Sequence, residues 1–256
     1  MQLDYKLSPQ TPSEITPSAR WMEIIKGVTL FGLTAYFGYN IIGGNLANYI
    51  NIRFMWLSYL AVLIFFLLGA VTLYSILKND YNHMTSDHTA ISWHVILIMA
   101  IPLILGTLVP SQPLGASAIR ENLSFRALSF GPAQIADKDP LERNILDWGR
   151  AFSEQGVDPV SFDGLPADFI GFVVTEPTFP ENHVVIARSV VRCCVVDIEG
   201  VGVPILWESD TPLRDDQWVR VQGTFQAGVF RDSRTPILQA TSVEMVEMPE
   251  HPYLYP

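Results

Sequence analysis

The sequence predicts an α-helical membrane region of three transmembrane helices, followed by an all-β extracytoplasmic domain built as an OB-like five-stranded barrel. Three observations predict it. Residues 1–110 hold three apolar stretches of membrane-spanning length, at 27–52, 54–77 and 91–110. Charge is divided unevenly: residues 1–110 carry five acidic and five basic side chains, whereas 111–256 carry 21 acidic and 11 basic, which accounts for the whole net charge of −10. From Asp168 onward, five runs rich in Val, Ile, Phe and Thr are separated by Pro, Gly and Asp, with no helical period between them.

Each element follows in order. Residues 1–20 read as a cytoplasmic N-terminal segment, and 21–110 as the membrane domain. The first apolar stretch, GVTLFGLTAYFGYNIIGG, begins too far into the chain and runs too long for a signal peptide. The second, FMWLSYLAVLIFFLLGAVTLYSIL, has 24 residues without a charge. The third contains Pro102, which removes a helix hydrogen bond and predicts a kink. Lys6, Arg20, Lys26 and Lys78 flank one side of the spans, against Arg53, Arg120 and Arg126 on the other. That bias places the N-terminus in the cytoplasm and the C-terminal domain outside it. Trp21, Trp56 and Trp93 fall near the span ends, where interfacial aromatics sit.

Residues 111–138, rich in Pro, Ser, Ala and Gly, read as an extended linker. The extracytoplasmic domain, 139–256, opens with a short helix. Asp139 is its N-cap and Pro140 its first residue, with Leu141, Ile145, Trp148 and Phe152 along one stripe. The five β runs are FIGFVVTEP, HVVIARSVVRCCVVDI, VGVPILWES, WVRVQGTFQ and TPILQATSVEMVE. Five strands without intervening helices suit a small barrel, and the length of the second suits a strand bending around a corner.

Composition also excludes. An acidic chain lacks the basic surface that neutralises phosphates, so nucleic acid is not an expected partner. No Walker loop, GxGxxG or Ser-His-Asp ordering stands out, and no enzyme activity is expected.

Three sets of residues invite functional readings. Asn40, Gly43, Gly44 and Asn45, near the end of the first span, have the small and amide side chains that let a partner helix approach and bond. His83, Asp87 and His88 lie between the second and third spans, where imidazole and carboxylate suit a metal, although their spacing matches no tight motif. The adjacent Cys193 and Cys194 are the chain's only cysteines. If the strand runs through them, they point to opposite faces, with Asp197 on the Cys193 side and Arg188 and Arg192 on the Cys194 side. Three readings stand side by side. The thiols are small buried hydrophobes; they close a strained vicinal disulfide in an oxidising compartment; or Cys193 and Asp197, with His183, hold a divalent metal such as zinc. No motif demands a cofactor.

Several landmarks occur in an order that resembles one family. They are NYINIRF between the first two spans, LVPSQPLGASA after the third, RCCVVD, WVRVQGTF and the C-terminal TPILQATSVEMVEMPEHPYLY. Together they are similar to the YcgQ-like family of bacterial two-component membrane permease subunits. The resemblance implies an accessory, non-channel subunit in the bacterial cytoplasmic membrane. Its extracytoplasmic domain would bind or present substrate, or regulate a separate multi-spanning YcgR-like permease. The alternative function is an extracytoplasmic thiol-redox or metal-binding membrane protein using the adjacent cysteines.

Overall fold

A computed structural model describes residues 17–78, 93–127, 138–154, 157–209 and 212–256. The chain divides into two compact units: residues 1–44 with 56–110, and residues 45–55 with 111–256.

The first unit contains α1 (Pro17–Ile42), α2 (Met55–Lys78) and α3 (Trp93–Leu108). Helix α2 is apolar all round, and its burial pattern is inverted relative to a water-soluble helix. Ser58, Gly69 and Thr72 are buried, whereas Leu63, Phe66, Leu67 and Tyr74 are exposed. The small stripe lets α1 approach: a Cβ added at Gly69 would stand 3.2 Å from the Phe31 ring, and Phe31 meets Phe66 edge-on at 6.1 Å. The buried Thr72 hydroxyl donates to the Leu68 carbonyl within its own helix, so it costs no unmet hydrogen bond. On its other side α1 meets α3, with Gly32 against Leu103 and Tyr36 against Gly106.

The expectation of three spans is corrected. Among the described residues only Ile52–Lys78, 27 residues that include α2, is long and apolar enough to cross a membrane. Helix α1 carries Arg20, Glu23 and Lys26 in its first turns, and Lys26 pairs with Glu23 at 3.5 Å. Helix α3 has 16 residues, which at about 1.5 Å per residue falls short of a hydrocarbon core about 30 Å thick.

The second unit holds a seven-stranded mixed sheet in the order β1-β4-β6-β5-β2-β3-β7, in which β4 also pairs with β3. The strands are β1 (Leu123–Ser124), β2 (Pro166–Val174), β3 (His183–Val190), β4 (Glu199–Leu206), β5 (Trp218–Phe230), β6 (Ser233–Met245) and β7 (Tyr253–Leu254). This replaces the expected five-stranded OB-like barrel. The added strands, β1 and β7, have two residues each and pair in parallel with β4 and β3. So short a strand carries no alternation for a sequence reading to find.

The core has two parts, and strand parity divides them. From β2 and β3, Phe169, Val173, Ile186 and Val190 enter one cluster with the short helix α5 (Ile145–Ala151). Phe172, Val174, Val185 and Ala187 enter the other, with Ala116 and Ile119 of α4 (Ala116–Ile119). Successive strand residues face opposite ways, so a strand covered on both faces reads as continuously apolar. Trp148 of α5 anchors the first cluster, 4.6 Å from the Phe225 ring.

Two local expectations also change. Asp139 caps only a single turn, Pro140–Glu142; the chain then extends at Arg143, and α5 starts afresh under a capping box of Asn144 and Asp147. The first part of the expected linker, residues 116–127, is packed into the sheet unit. The Ala116 N–H donates to Asp216 Oδ1 at 2.6 Å, and Arg120 bonds Asp215 at 2.6 Å and the Thr175 carbonyl at 3.0 Å. Burial alone would raise the Asp215 carboxyl, but bonds from Thr175 and Arg120 outweigh it and hold its pKa below the ordinary value.

Candidate functional site: the double-cysteine turn and the loop bonded to it

Strand β3 stops at Val190, so the two cysteines do not lie on a strand. Asp197 turns the chain out. Its Oδ1 accepts the Arg192 N–H at 3.0 Å and its Oδ2 the Cys193 N–H at 2.8 Å, while its own N–H donates to the Cys194 carbonyl at 3.0 Å. A carboxylate that satisfies two successive backbone donors competes with the strand ladder and makes a turn. Residues 195–197 complete it as one helical turn. The alternation argument for opposite faces therefore fails at this point. Both thiols are free; Cys193 is exposed and its side chain is hydrogen-bonded to that of Cys194. Partial desolvation, with the adjacent Cys194 side chain and the Asp197 carboxylate adding to it, holds the Cys193 thiol above its ordinary pKa. Neither nearby arginine offsets this. Arg192 pairs with Glu199 at 2.7 Å, and Arg188 is buried elsewhere in the unit.

The turn holds a second segment, residues 45–55, which precedes α2. The Asn51 N–H donates to the Cys193 carbonyl and the Val195 N–H to the Tyr49 carbonyl, both at 3.0 Å, and Ile50 bridges Cys194 in antiparallel fashion. Buried Asn51 is the centre of the contact. Its Nδ2 donates to the Arg192 carbonyl at 2.7 Å and the Val191 carbonyl at 3.3 Å, and its Oδ1 accepts the Arg53 N–H at 2.9 Å. One amide thus caps the turn Ile52–Phe54 that leads into α2 and ties that turn to the sheet unit.

Two further residues brace the arrangement. The Tyr253 hydroxyl donates to the Asn48 carbonyl at 3.1 Å and accepts the Leu114 N–H at 2.8 Å. Burial raises its pKa, so it stays a donor at neutral pH. Asn48 in turn donates to Ser111 Oγ at 2.9 Å, and Ser111 to the Asn45 carbonyl at 3.2 Å. Arg188 donates to the carbonyls of His251 at 2.8 Å and Pro252 at 3.2 Å, with its guanidinium 5.0 Å from the centre of the Trp218 ring. Burial lowers its pKa to about 10. These bonds fix the C-terminal segment that carries Tyr253.

The expected metal set is divided. Both carboxylate oxygens of Asp197 are engaged by backbone donors. His183 opens β3 while the thiols follow its end, so the eight-residue strand, roughly 23 Å long, lies between them. His183 Nδ1 is 2.8 Å from the Glu181 carbonyl oxygen, and among the described residues no group of three or more potential ligands gathers. His83, Asp87 and His88 lie outside the described residues. Near the end of α1, Asn40 is buried and its amide donates to the Tyr36 carbonyl of its own helix. Gly43 and Gly44 terminate the helix, Gly44 at φ 70°, a conformation that favours glycine. Asn45 begins the segment bonded to the cysteine turn and Ser111.

Sequence reasoning missed Asn51 and Tyr253, and placed Arg188 beside Cys194 instead of against the C-terminal segment. The first carried a signal, since an Asn directly before an apolar helical run is a capping residue. The other two act through backbone carbonyls distant in sequence, which no local pattern displays.

Comparison with known proteins agrees with the family resemblance. Residues 25–123 match the model described as the DUF1980 N-terminal domain, and residues 141–256 match the DUF1980 C-terminal domain. The chain is 20% identical to the UPF0703 protein YcgQ of Bacillus subtilis, over 89% of this chain and 98% of that protein. It is also 20% identical to a Streptococcus mutans protein named "Putative two-component membrane permease complex subunit", over 84% of this chain and 92% of that one. No solved structure matches. The chain thus carries both DUF1980 domains, in order and together over most of its length.

Proposed function

We propose that this protein is an accessory subunit of a two-component membrane permease complex. In this reading α2 anchors it in the cytoplasmic membrane, and the sheet unit stands on the outer face, where it binds or presents substrate or regulates a multi-spanning YcgR-like partner that supplies the permeation path. The observation that carries the reading is α2 itself: large apolar side chains outward and Ser58, Gly69 and Thr72 inward. Such a helix is stable only where its surroundings are as apolar as its surface. The near full-length similarity to a named permease complex subunit supports the subunit role. The bonds between Asn51 and the cysteine turn support a coupling role, because they join the residues leading into α2 to the folded sheet.

Deletion in the native organism tests this. Loss of the protein is expected to lower the abundance of the partner permease in the membrane, or the flux through it, and re-expression to restore it. Unchanged abundance and flux would remove the subunit reading.

A further inference from the structure

The cysteine turn and the segment before α2 share an unusual surface. Val196, at the tip of the turn, is 90% exposed, and Cys193 is exposed beside it. Tyr49 and Ile52, on the segment bonded to that turn, are exposed, as is Leu114, whose N–H shares the Tyr253 hydroxyl with Asn48. Although the sheet unit is acidic overall, residues 45–55 contain no acid and one base, Arg53. The one carboxylate inside the turn, Asp197, is engaged by backbone donors.

The geometry points to a bilayer contact: this rim of the sheet unit, with Val196 and Ile52 foremost, rests in the headgroup region of the membrane that α2 enters. The inference rests on the reading of α2 as a membrane span. Chain continuity supplies the occupant. The apolar span begins at Ile52, three residues before Met55 opens α2, so at 3.8 Å per residue Ile52 lies within about 11 Å of the start of α2. Hydrogen bonds carry the turn to the same place, through Asn51 to Cys193 and Tyr49 to Val195. Apolar side chains flanked by a base, with little opposing acid, are the chemistry that settles into the headgroup and acyl boundary. The contact would add to the support that Asn51 gives the turn.

Spin-label accessibility in vesicles of phosphatidylcholine and phosphatidylglycerol tests this on the full chain. In a Cys193→Ser, Cys194→Ser background, single nitroxides are placed at Val196→Cys, at Leu67→Cys within α2, and at the exposed Val229→Cys on β5. Collisions with oxygen, which partitions into lipid, are compared with those of a water-soluble nickel chelate. The expected result is an oxygen-to-nickel ratio at position 196 several-fold above that at 229 and approaching that at 67. A ratio at 196 equal to that at 229, with 67 in lipid, overturns the contact and leaves the span intact. An immobilised label at 196 shielded from both reagents also overturns it, in favour of a protein cover. A label at 67 open to nickel overturns the span itself. A Cys194→Ser chain labelled at the native Cys193 repeats the comparison beside position 196.

Discussion

Asn51 is the residue on which the described site turns, because a single carboxamide satisfies two carbonyls of the cysteine turn and one N–H of the turn leading into α2. Asn51→Ala leaves those groups to find water at a buried position, a loss of about 1–3 kcal/mol. The expected outcome is a drop of several degrees in the Tm of the purified protein, with faster hydrogen exchange at the Val195 N–H, which bonds the same segment. Unchanged exchange at Val195 would show that the loop is held by other means. At Cys193 the direction of the pKa shift makes a second prediction. A thiol held above its ordinary value is protonated at neutral pH, and the thiolate is the reacting form. Alkylation by iodoacetamide should be slow at pH 7 despite exposure and accelerate through pH values above about 8.5, the ordinary thiol range. A rate already at its plateau at pH 7 would restore a reactive cysteine pair. The sequence drew attention to the two cysteines but misjudged their faces, because the alternation argument needs a strand, and the Asp197 carboxylate ends that strand with bonds across four and five residues.

Among the elements, those with long and uniform patterns were legible and the short ones were not. The apolar run of α2, the capped start of the Asp139 turn and the cores of β2, β4, β5 and β6 follow from hydrophobicity, Pro and the β-branched residues. The two-residue strands β1 and β7, and the split of the expected first helix into a turn and α5, depend on partners brought together only by the fold. Helix α3 was expected to span from the apolar run 91–110, but its described helix has only 16 residues, shorter than that run promised. The long β5–β6 hairpin shows where an element tolerates least. A bulge between Gln222 and Gly223 brings Gly223 so close to its neighbour that an added Cβ would stand 2.2 Å from the Gln239 carbonyl oxygen. Gly223→Ala must move backbone and is expected to cost about 3 kcal/mol. Gly38→Ala in α1 meets nothing within 4 Å and should be neutral or stabilising by up to about 1 kcal/mol. Thermal melts of the two variants check this, and equal Tm values would contradict the packing described.

For the whole molecule, the partition of charge and apolarity marked an acidic, β-rich second half, and the ordered landmarks marked the family. What stayed illegible was the coupling. Residues 45–55 straddle the end of the first apolar stretch and the start of the second, yet they belong to the same compact unit as residues 111–256. Their partners Val191, Arg192, Cys193 and Tyr253 are more than a hundred residues away, and each of these bonds uses a backbone carbonyl or N–H that any residue type supplies. The folded sheet is thus fastened to the chain just before its apolar helix begins. The most direct test is purification of the tagged protein from its own membranes in mild detergent, with the stoichiometry of co-eluting proteins quantified. A multi-spanning permease present in fixed ratio to this chain, and retained through size-exclusion chromatography, is the result expected of a subunit. Elution of the chain by itself from membranes that contain the permease would contradict it.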